Sequence, residues 1–274
     1  MFDNYLISAE ELKANSKVPL LTVDSPYDMF VEFAAQMISE IVENNKKNKK
    51  TVFILPCGPI GQYPVFAKFV NHLKIDLKNT YIIHMDEYIM DDGNLISDTD
   101  IFSFKRCMNE NFYSLIDSDL VMTPEQRIYP NPENLKEIPE LIEKLGGVDI
   151  AFGGVALNGH IAFNEPQPEL SVDEFSKLPT RIVTLTPETR IKDAILSRGG
   201  AVDTVPKNAI TIGMKEILGA RKLRLSMTLD MQRAVVRTVC TGDVTSACPA
   251  SLMQNHPDAM LIVTKNVVEK PYNI

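Results

Sequence analysis

The chain has 274 residues, of which 45% are hydrophobic and 23% charged, a balance that excludes disorder, collagen and coiled coil and suits one large α/β domain or two small ones. Its 28 Lys and Arg against 36 Asp and Glu give a net charge of −8, so a nucleic-acid partner, which needs a concentrated basic surface, is not expected. A small anionic substrate fits, because a few local cations make a positive pocket in an acidic protein.

The apolar runs are short, as in Thr51–Leu55 and 260–263, against the roughly 20 apolar residues a membrane span needs. No span is expected. Residues 1–5 lack the basic-then-apolar pattern of a secretory leader. Cys57, Cys107, Cys240 and Cys248 form no CxxC pair, which argues against a disulfide framework or a zinc knuckle and for free thiols in a reducing cytoplasm.

In chain order, a helix is expected over 26–44, opening at Ser25-Pro26 with a capping hydroxyl and a proline in the first turn. It dissolves into the lysine-rich run 44–50, which reads as a solvated connection because no aromatic residue is interleaved. A strand over 51–55 precedes a helix over 62–73, and a strand over 80–85 precedes a helix over 102–115. A helix over 133–145 leads to a strand over 148–152. Strands follow over 181–185, 209–212, 223–228 and 259–263, with helices over 231–240 and 247–254. Segments 167–179 and 197–200 read as surface excursions that could also act as lids. Several strands are apolar nearly throughout, the mark of burial on both faces, so the expectation is one doubly wound, mostly parallel sheet with helices on both faces, in a single domain over 1–274.

In such a sheet, ligands bind beyond the carboxyl ends of the strands. Three strand ends here carry unusual chemistry. Leu55-Pro-Cys-Gly-Pro-Ile-Gly-Gln62 is a glycine-containing turn that can aim backbone N–H groups at an anion through Cys57 and Gly58, or serve as an ordinary connection. His84-Met-Asp-Glu-Tyr88 places Asp86 and Glu87 on opposite sides of the backbone at the sheet rim; either could be a general base with a raised pKa, or both could be turn and capping acids. The glycine-rich loop after Phe152 brings His160, Asn164 and Glu165 together, an imidazole and a carboxylate able to shuttle protons near neutrality. Arg190 and Arg233 follow; their planar forks match phosphate oxygens.

From about residue 51 to 264, this set resembles the glucosamine-6-phosphate deaminase/isomerase family, whose fold is shared with the 6-phosphogluconolactonases. The resemblance rests on Met85-Asp-Glu-Tyr88, Gly159-His-Ile-Ala-Phe-Asn-Glu-Pro166, Thr184-Leu-Thr with Thr189-Arg190, Val205-Pro-Lys207 with Ala209-Ile-Thr-Ile-Gly213, and His256-Pro257. The lactonases lack the Phe-Asn-Glu-Pro tail. The likeness implies opening of an amino-sugar phosphate ring, proton transfer between C1 and C2, and release of ammonia, with no metal and no organic cofactor. It implies Asp86 as the base at C2, His160 as the ring-opening group, Glu165 as its carboxylate partner, and Arg190 and Arg233 on the phosphate, the latter replacing a lysine. Asn158 stands where the family carries an aspartate of the relay, which implies slower ring opening unless Glu165 compensates. The loop 56–61 is shorter than the family's, and Pro59 offers no N–H. Val183 replaces a basic residue of the allosterically regulated members, so regulation of that kind is not expected. The resemblance is compatible with monomers and with homo-oligomers. A related enzyme with a shifted sugar-phosphate substrate and a non-catalytic sugar-phosphate binder are the alternatives.

Overall fold

The computed structural model describes residues 3–271, so Met1 and Phe2 of the segment read for a leader lie outside the described residues. Strands β1 (Leu20–Val23), β2 (Thr51–Leu55), β3 (Thr80–His84), β4 (Asp86–Ile89), β5 (Arg127–Ile128), β6 (Ile150–Gly154), β7 (Arg181–Thr184), β8 (Asn208–Thr211), β9 (Lys222–Met227) and β10 (Ala259–Thr264) form two sheets. The helices are α1 (Ala9–Ala14), α2 (Pro26–Lys46), α3 (Gln62–Leu73), α4 (Phe104–Asn111), α5 (Glu137–Lys144), α6 (Val172–Ser176), α7 (Pro187–Ser197), α8 (Met214–Leu218), α9 (Arg233–Thr241) and α10 (Lys265–Val268).

The large sheet has the order β1-β10-β9-β6-β2-β3-β5, and every pairing in it is parallel. Its central strand shows why β2 reads as a continuous apolar run. Val52 and Ile54 pack into one core with α1, α5, α8, α9 and α10, while Phe53 and Leu55 pack into the other with α2, α3 and α4. A strand buried on both faces has no solvent side to mark with polar residues. α2 begins where expected, Ser25 accepting from the Asp28 N–H and Asp28 returning a bond to the Ser25 N–H.

The second sheet departs from the expectation. β7 and β8, expected within the parallel sheet, pair antiparallel with each other, and β8 pairs antiparallel with β4. β7, the edge strand of this small sheet, alternates half-buried and exposed residues, whereas β4 is buried throughout; Val183 of β7 packs against a third core of Tyr88, Phe163, Leu185 and Ala209 among others. The chain passes from β3 to β4 through Met85 alone. Its N–H donates to Leu55 of the large sheet and its carbonyl accepts from Ile212 beside the small one. This junction fixes Asp86 at the crevice between the two sheets.

Two expected helices also differ. Residues 249–255 are 3₁₀ rather than α, and 102–115 breaks at Phe112 into α4 and a short 3₁₀ turn. The excursion 167–179 contains α6. Among the described residues no helix is long and apolar enough to cross a membrane.

Candidate active site

A cavity of about 480 Å³ opens at the carboxyl ends of β2, β6 and β9, where the small sheet meets the large one. Asp86, His160, Cys57 and Gly58 all line it.

Asp86 and Tyr88 alternate with Glu87 along β4, as strand geometry demands. The first two face the cavity. The Glu87 carboxylate turns away and accepts bonds from the Ser103 hydroxyl and from the backbone N–H groups of Phe104 and Lys105, so it caps α4. The two acids therefore have different work. Burial, with the charges of Glu87 and Asp193 adding to it, pushes the Asp86 carboxyl up to about 8, against the opposing pull of Lys192. Such a group exchanges a proton readily near neutral pH.

His160 sits on a loop whose backbone leaves little freedom. Gly159 has φ +86°, and a Cβ there would lie 2.6 Å from Cys248 Sγ, so only glycine fits. Ala162 is held at φ +54°, a conformation an L residue adopts at a cost of about 1–3 kcal/mol, and it too lines the cavity. The imidazole Nδ1 lies 3.1 Å from Glu165 Oε2 and 3.2 Å from Thr189 Oγ1. An ionised carboxylate can only accept, so Nδ1 carries hydrogen and Nε2 is the ring nitrogen left for chemistry. Although burial of Glu165 works against its charge, bonds from His160, Thr189 and Asn158 outweigh this and hold its carboxyl down at about 2. The Thr186 backbone N–H binds its other oxygen at 3.1 Å.

Asn158 does not reach the imidazole ring. Its Nδ2 donates to Glu165 Oε2 at 2.9 Å, and its Oδ1 accepts from the His160 backbone N–H at 3.3 Å. The carboxylate beside the imidazole is thus Glu165, and Asn158 holds that carboxylate in place.

The residues expected to bind phosphate divide. Cys57 and Gly58 line the cavity, but the Cys57 thiol shares a hydrogen bond with Cys107, which together with burial pushes its pKa up and keeps it neutral. Arg190 and Arg233 are not brought to the cavity. The Arg190 guanidinium donates to the carbonyls of Val202 and Val205 at 3.2–3.3 Å, which ties α7 to the following turn. Arg233, the first residue of α9, reaches Glu269 at 3.3 Å, Asp230 at 3.4 Å and the Lys270 carbonyl at 3.3 Å. In this structure the two guanidinium groups expected on a phosphate are bonded to backbone carbonyls and carboxylates.

Four cavity residues, Tyr88, Lys192, Asp193 and Gln232, were not singled out as site residues from the sequence. Tyr88 donates to Asp193 Oδ2 at 2.9 Å, and Asp193 Oδ1 lies 2.6 Å from Lys192 Nζ. Lys192 and Asp193 both lie on α7, a helix not expected from the sequence although Thr186-Pro187 carries a start signal: Thr186 caps the helix by accepting from the Thr189 N–H, with proline at its first position. Gln232 closes the cavity from the other side, its Oε1 accepting from the N–H groups of Thr228 and Leu229 at 2.8 Å and its Nε2 donating to the Val155 carbonyl.

No protein-family model matches the chain. It is 30% identical over 261 residues to the glucosamine-6-phosphate deaminase of Clostridium perfringens strain 13, covering 91% of this chain and 98% of that one. It is likewise 30% identical over 243 residues to the glucosamine-6-phosphate deaminase of Mycoplasma mycoides subsp. mycoides SC, covering 88% and 93%. A solved structure described as a monomeric glucosamine-6-phosphate deaminase superposes with a TM-score of 0.78 at 26% identity, covering 91% of this chain and 98% of that one. The 6-phosphogluconolactonase of Plasmodium vivax, at 16% identity and a TM-score of 0.66 over 95% and 98% of the two chains, shares the fold. Sequence likeness over nine-tenths of the chain, together with the fold, shows that the protein belongs to the glucosamine-6-phosphate deaminase family.

Proposed function

We propose that the protein converts an amino-sugar phosphate and water into a ketose phosphate and ammonia, with glucosamine 6-phosphate as the leading substrate. The observation that carries this reading is the pairing, across one cavity, of a buried carboxyl titrating near neutrality with an imidazole whose outer nitrogen is free and whose inner one is held by an ionised carboxylate.

His160 opens the ring. Its Nε2 takes the proton of the C1 hydroxyl and delivers it to the ring oxygen as the bond from C1 to that oxygen breaks, and Glu165 stabilises the imidazolium formed between the two transfers. Ionised Asp86 then takes the C2 hydrogen, which the C1 aldehyde has made acidic, while the aldehyde oxygen gains a proton lost by the C2 ammonium to give an enolamine, and the same carboxyl returns its proton to C1. The C2 amine becomes an imine, water adds to it, and ammonia leaves to give the ketone. The carbonyl of the substrate acts as the electron sink, so the residues supply only proton transfer and orientation.

A related sugar phosphate is the second reading. Ala156 and Leu157 line the cavity beside His160 in place of the family's usual residues, and they present an apolar wall to the sugar. The test is to follow ammonia and ketose phosphate together from glucosamine 6-phosphate, with Asp86→Asn as control. Equal yields that vanish in the variant support the proposal, whereas full activity in Asp86→Asn would remove Asp86 from the chemistry. Silence of the wild type on this sugar, with release of ammonia from another amino-sugar phosphate, would favour the second reading.

A further inference from the structure

We propose that Cys57 and Cys107 form a peroxide-sensitive thiol pair, whose closure to a disulfide deforms the wall of the active-site cavity and arrests turnover. The arrest rests on the sugar-phosphate reading given above; the pairing of the thiols does not.

The inference starts from a contact between two segments distant in the chain. Cys57 is buried in the cavity wall, in the turn after β2, and Cys107 is half-buried on α4. Both are free thiols, and they hydrogen-bond to each other. Cys240 and Cys248 pack in the core on the opposite face of the large sheet.

The two thiols are suited to different steps. Cys107 is the nucleophile. A hydrogen bond from the Cys57 thiol, and another from the Asn111 amide, whose Nδ2 lies 3.7 Å from Cys107 Sγ, hold its pKa below the ordinary thiol value against its partial burial. Its thiolate attacks one oxygen of hydrogen peroxide: an S–O bond forms, the O–O bond breaks, and hydroxide leaves a sulfenic acid behind. The neutral Cys57 thiol then displaces the sulfenic oxygen, which departs as water carrying the Cys57 proton. In total, two thiols and one peroxide become a disulfide and two waters. The sulfurs lose two electrons and the peroxide gains them.

Neither sulfur can move without moving the site. A covalent S–S bond is much shorter than a hydrogen-bond contact between thiols, so closure draws the two backbones together. On one side Pro56, Gly58, Pro59 and Ile60, which flank Cys57, all line the cavity. On the other, α4 contributes Phe104 to the cavity, and its first turn is bonded to Glu87, the neighbour of Asp86. The pull is taken up either by the cavity loop or by the helix that seats the strand of the base.

The test treats the wild type with hydrogen peroxide and maps its cysteines by non-reducing digestion and mass spectrometry. A peptide pair linked through Cys57 and Cys107 is expected. Because a misplacement of about 1 Å costs on the order of 10²-fold in rate, ammonia release from glucosamine 6-phosphate should fall about 10- to 100-fold and return on adding dithiothreitol. Cys107→Ser is expected to turn over like the reduced wild type and to keep that rate in peroxide. Two free thiols in the treated wild type, a Cys57–Cys107 link with an unchanged rate, or equal inactivation of Cys107→Ser would each overturn the proposal. If the reduced wild type releases no ammonia, the deaminase reading fails by itself. Amide exchange over 56–61 and 104–111 then decides whether the bond reshapes the wall: it should change on oxidation of the wild type and not of Cys107→Ser, and unchanged exchange in both would overturn the proposal.

Discussion

Replacing Asn158 by aspartate would restore the residue the family carries, yet here it should weaken the protein in a pH-dependent way. Asn158 Nδ2 donates to Glu165 Oε2 at 2.9 Å, so the substitution puts a second carboxylate oxygen where a donor stood. Two unit charges at 2.9 Å repel by about 1.4 kcal/mol in water and about 6 kcal/mol at an effective dielectric constant of 20. Asn158 is half-buried, which places the net penalty nearer the lower figure, at about 2 kcal/mol. The sign follows from linkage. Near pH 4 the new carboxyl is protonated and donates to Glu165 as the amide did. As pH rises, the unfolded chain releases that proton at its ordinary pKa of about 3.9 while the folded chain retains it to higher pH, so stability relative to the wild type falls through the interval between the two. At about 2–4 °C per kcal/mol for a large domain, the melting temperature of Asn158→Asp should match the wild type near pH 4 and lie roughly 4–8 °C below it at pH 8. Asn158→Ala is the control, since it loses the donor without adding a charge and should show a gap that is flat above pH 5. A gap for Asn158→Asp that does not change with pH, or a variant as stable as the wild type at pH 8, would refute the assignment of Asn158 as a donor to an ionised Glu165.

Because Asp86 titrates near 8 and must be ionised to take the C2 hydrogen, kcat/KM should climb with pH through about 8 on its acid limb; a rate flat from pH 6 to 9 would contradict its role as base. Glu165→Gln should lower kcat by about 10²–10⁴, the scale set by loss of a comparable orienting carboxylate in serine proteases, and steady-state rates near wild type would show that Thr189 alone orients the ring. Gly159→Ala must hold a left-handed backbone and displace Cys248, so its denaturant midpoint should fall by the equivalent of more than about 1–2 kcal/mol. An unchanged midpoint would mean that the loop relaxes around the new methyl.

What was legible in the sequence and what was not have separate physical origins. β2 and α3 were readable to the residue because a doubly buried strand must be apolar throughout and the following helix starts at a glycine turn. β4 was not, since Asp86-Glu87-Tyr88-Ile89 opens with two residues of poor strand propensity. Its strand form is imposed from outside: by the bonds of Met85 to both sheets, by antiparallel pairing with β8, and by the N-terminus of α4 closing on Glu87. Strand alternation sets the two acids on opposite sides, and those same contacts decide which one caps α4 and which one faces the cavity.

The site shows the same split between residue type and residue use. Asp86, His160 and Glu165 could be picked out because each belongs to a short stretch in which unusual chemistry follows a buried strand, and local backbone geometry then fixes where the side chain goes. Arginine is different, for its long stem lets the guanidinium find whichever acceptors the fold leaves open. Around Arg190 these are the carbonyls of the 3₁₀ turn after α7; around Arg233 they are the carboxylates of Asp230 and Glu269. Both destinations depend on segments distant from the strand ends that flagged the site. Lys192 carries the complementary lesson. In sequence it is one lysine in a helix of mixed polarity, and it becomes the cavity's fixed cation only because α7, tied down by Arg190, presents that face to Asp86.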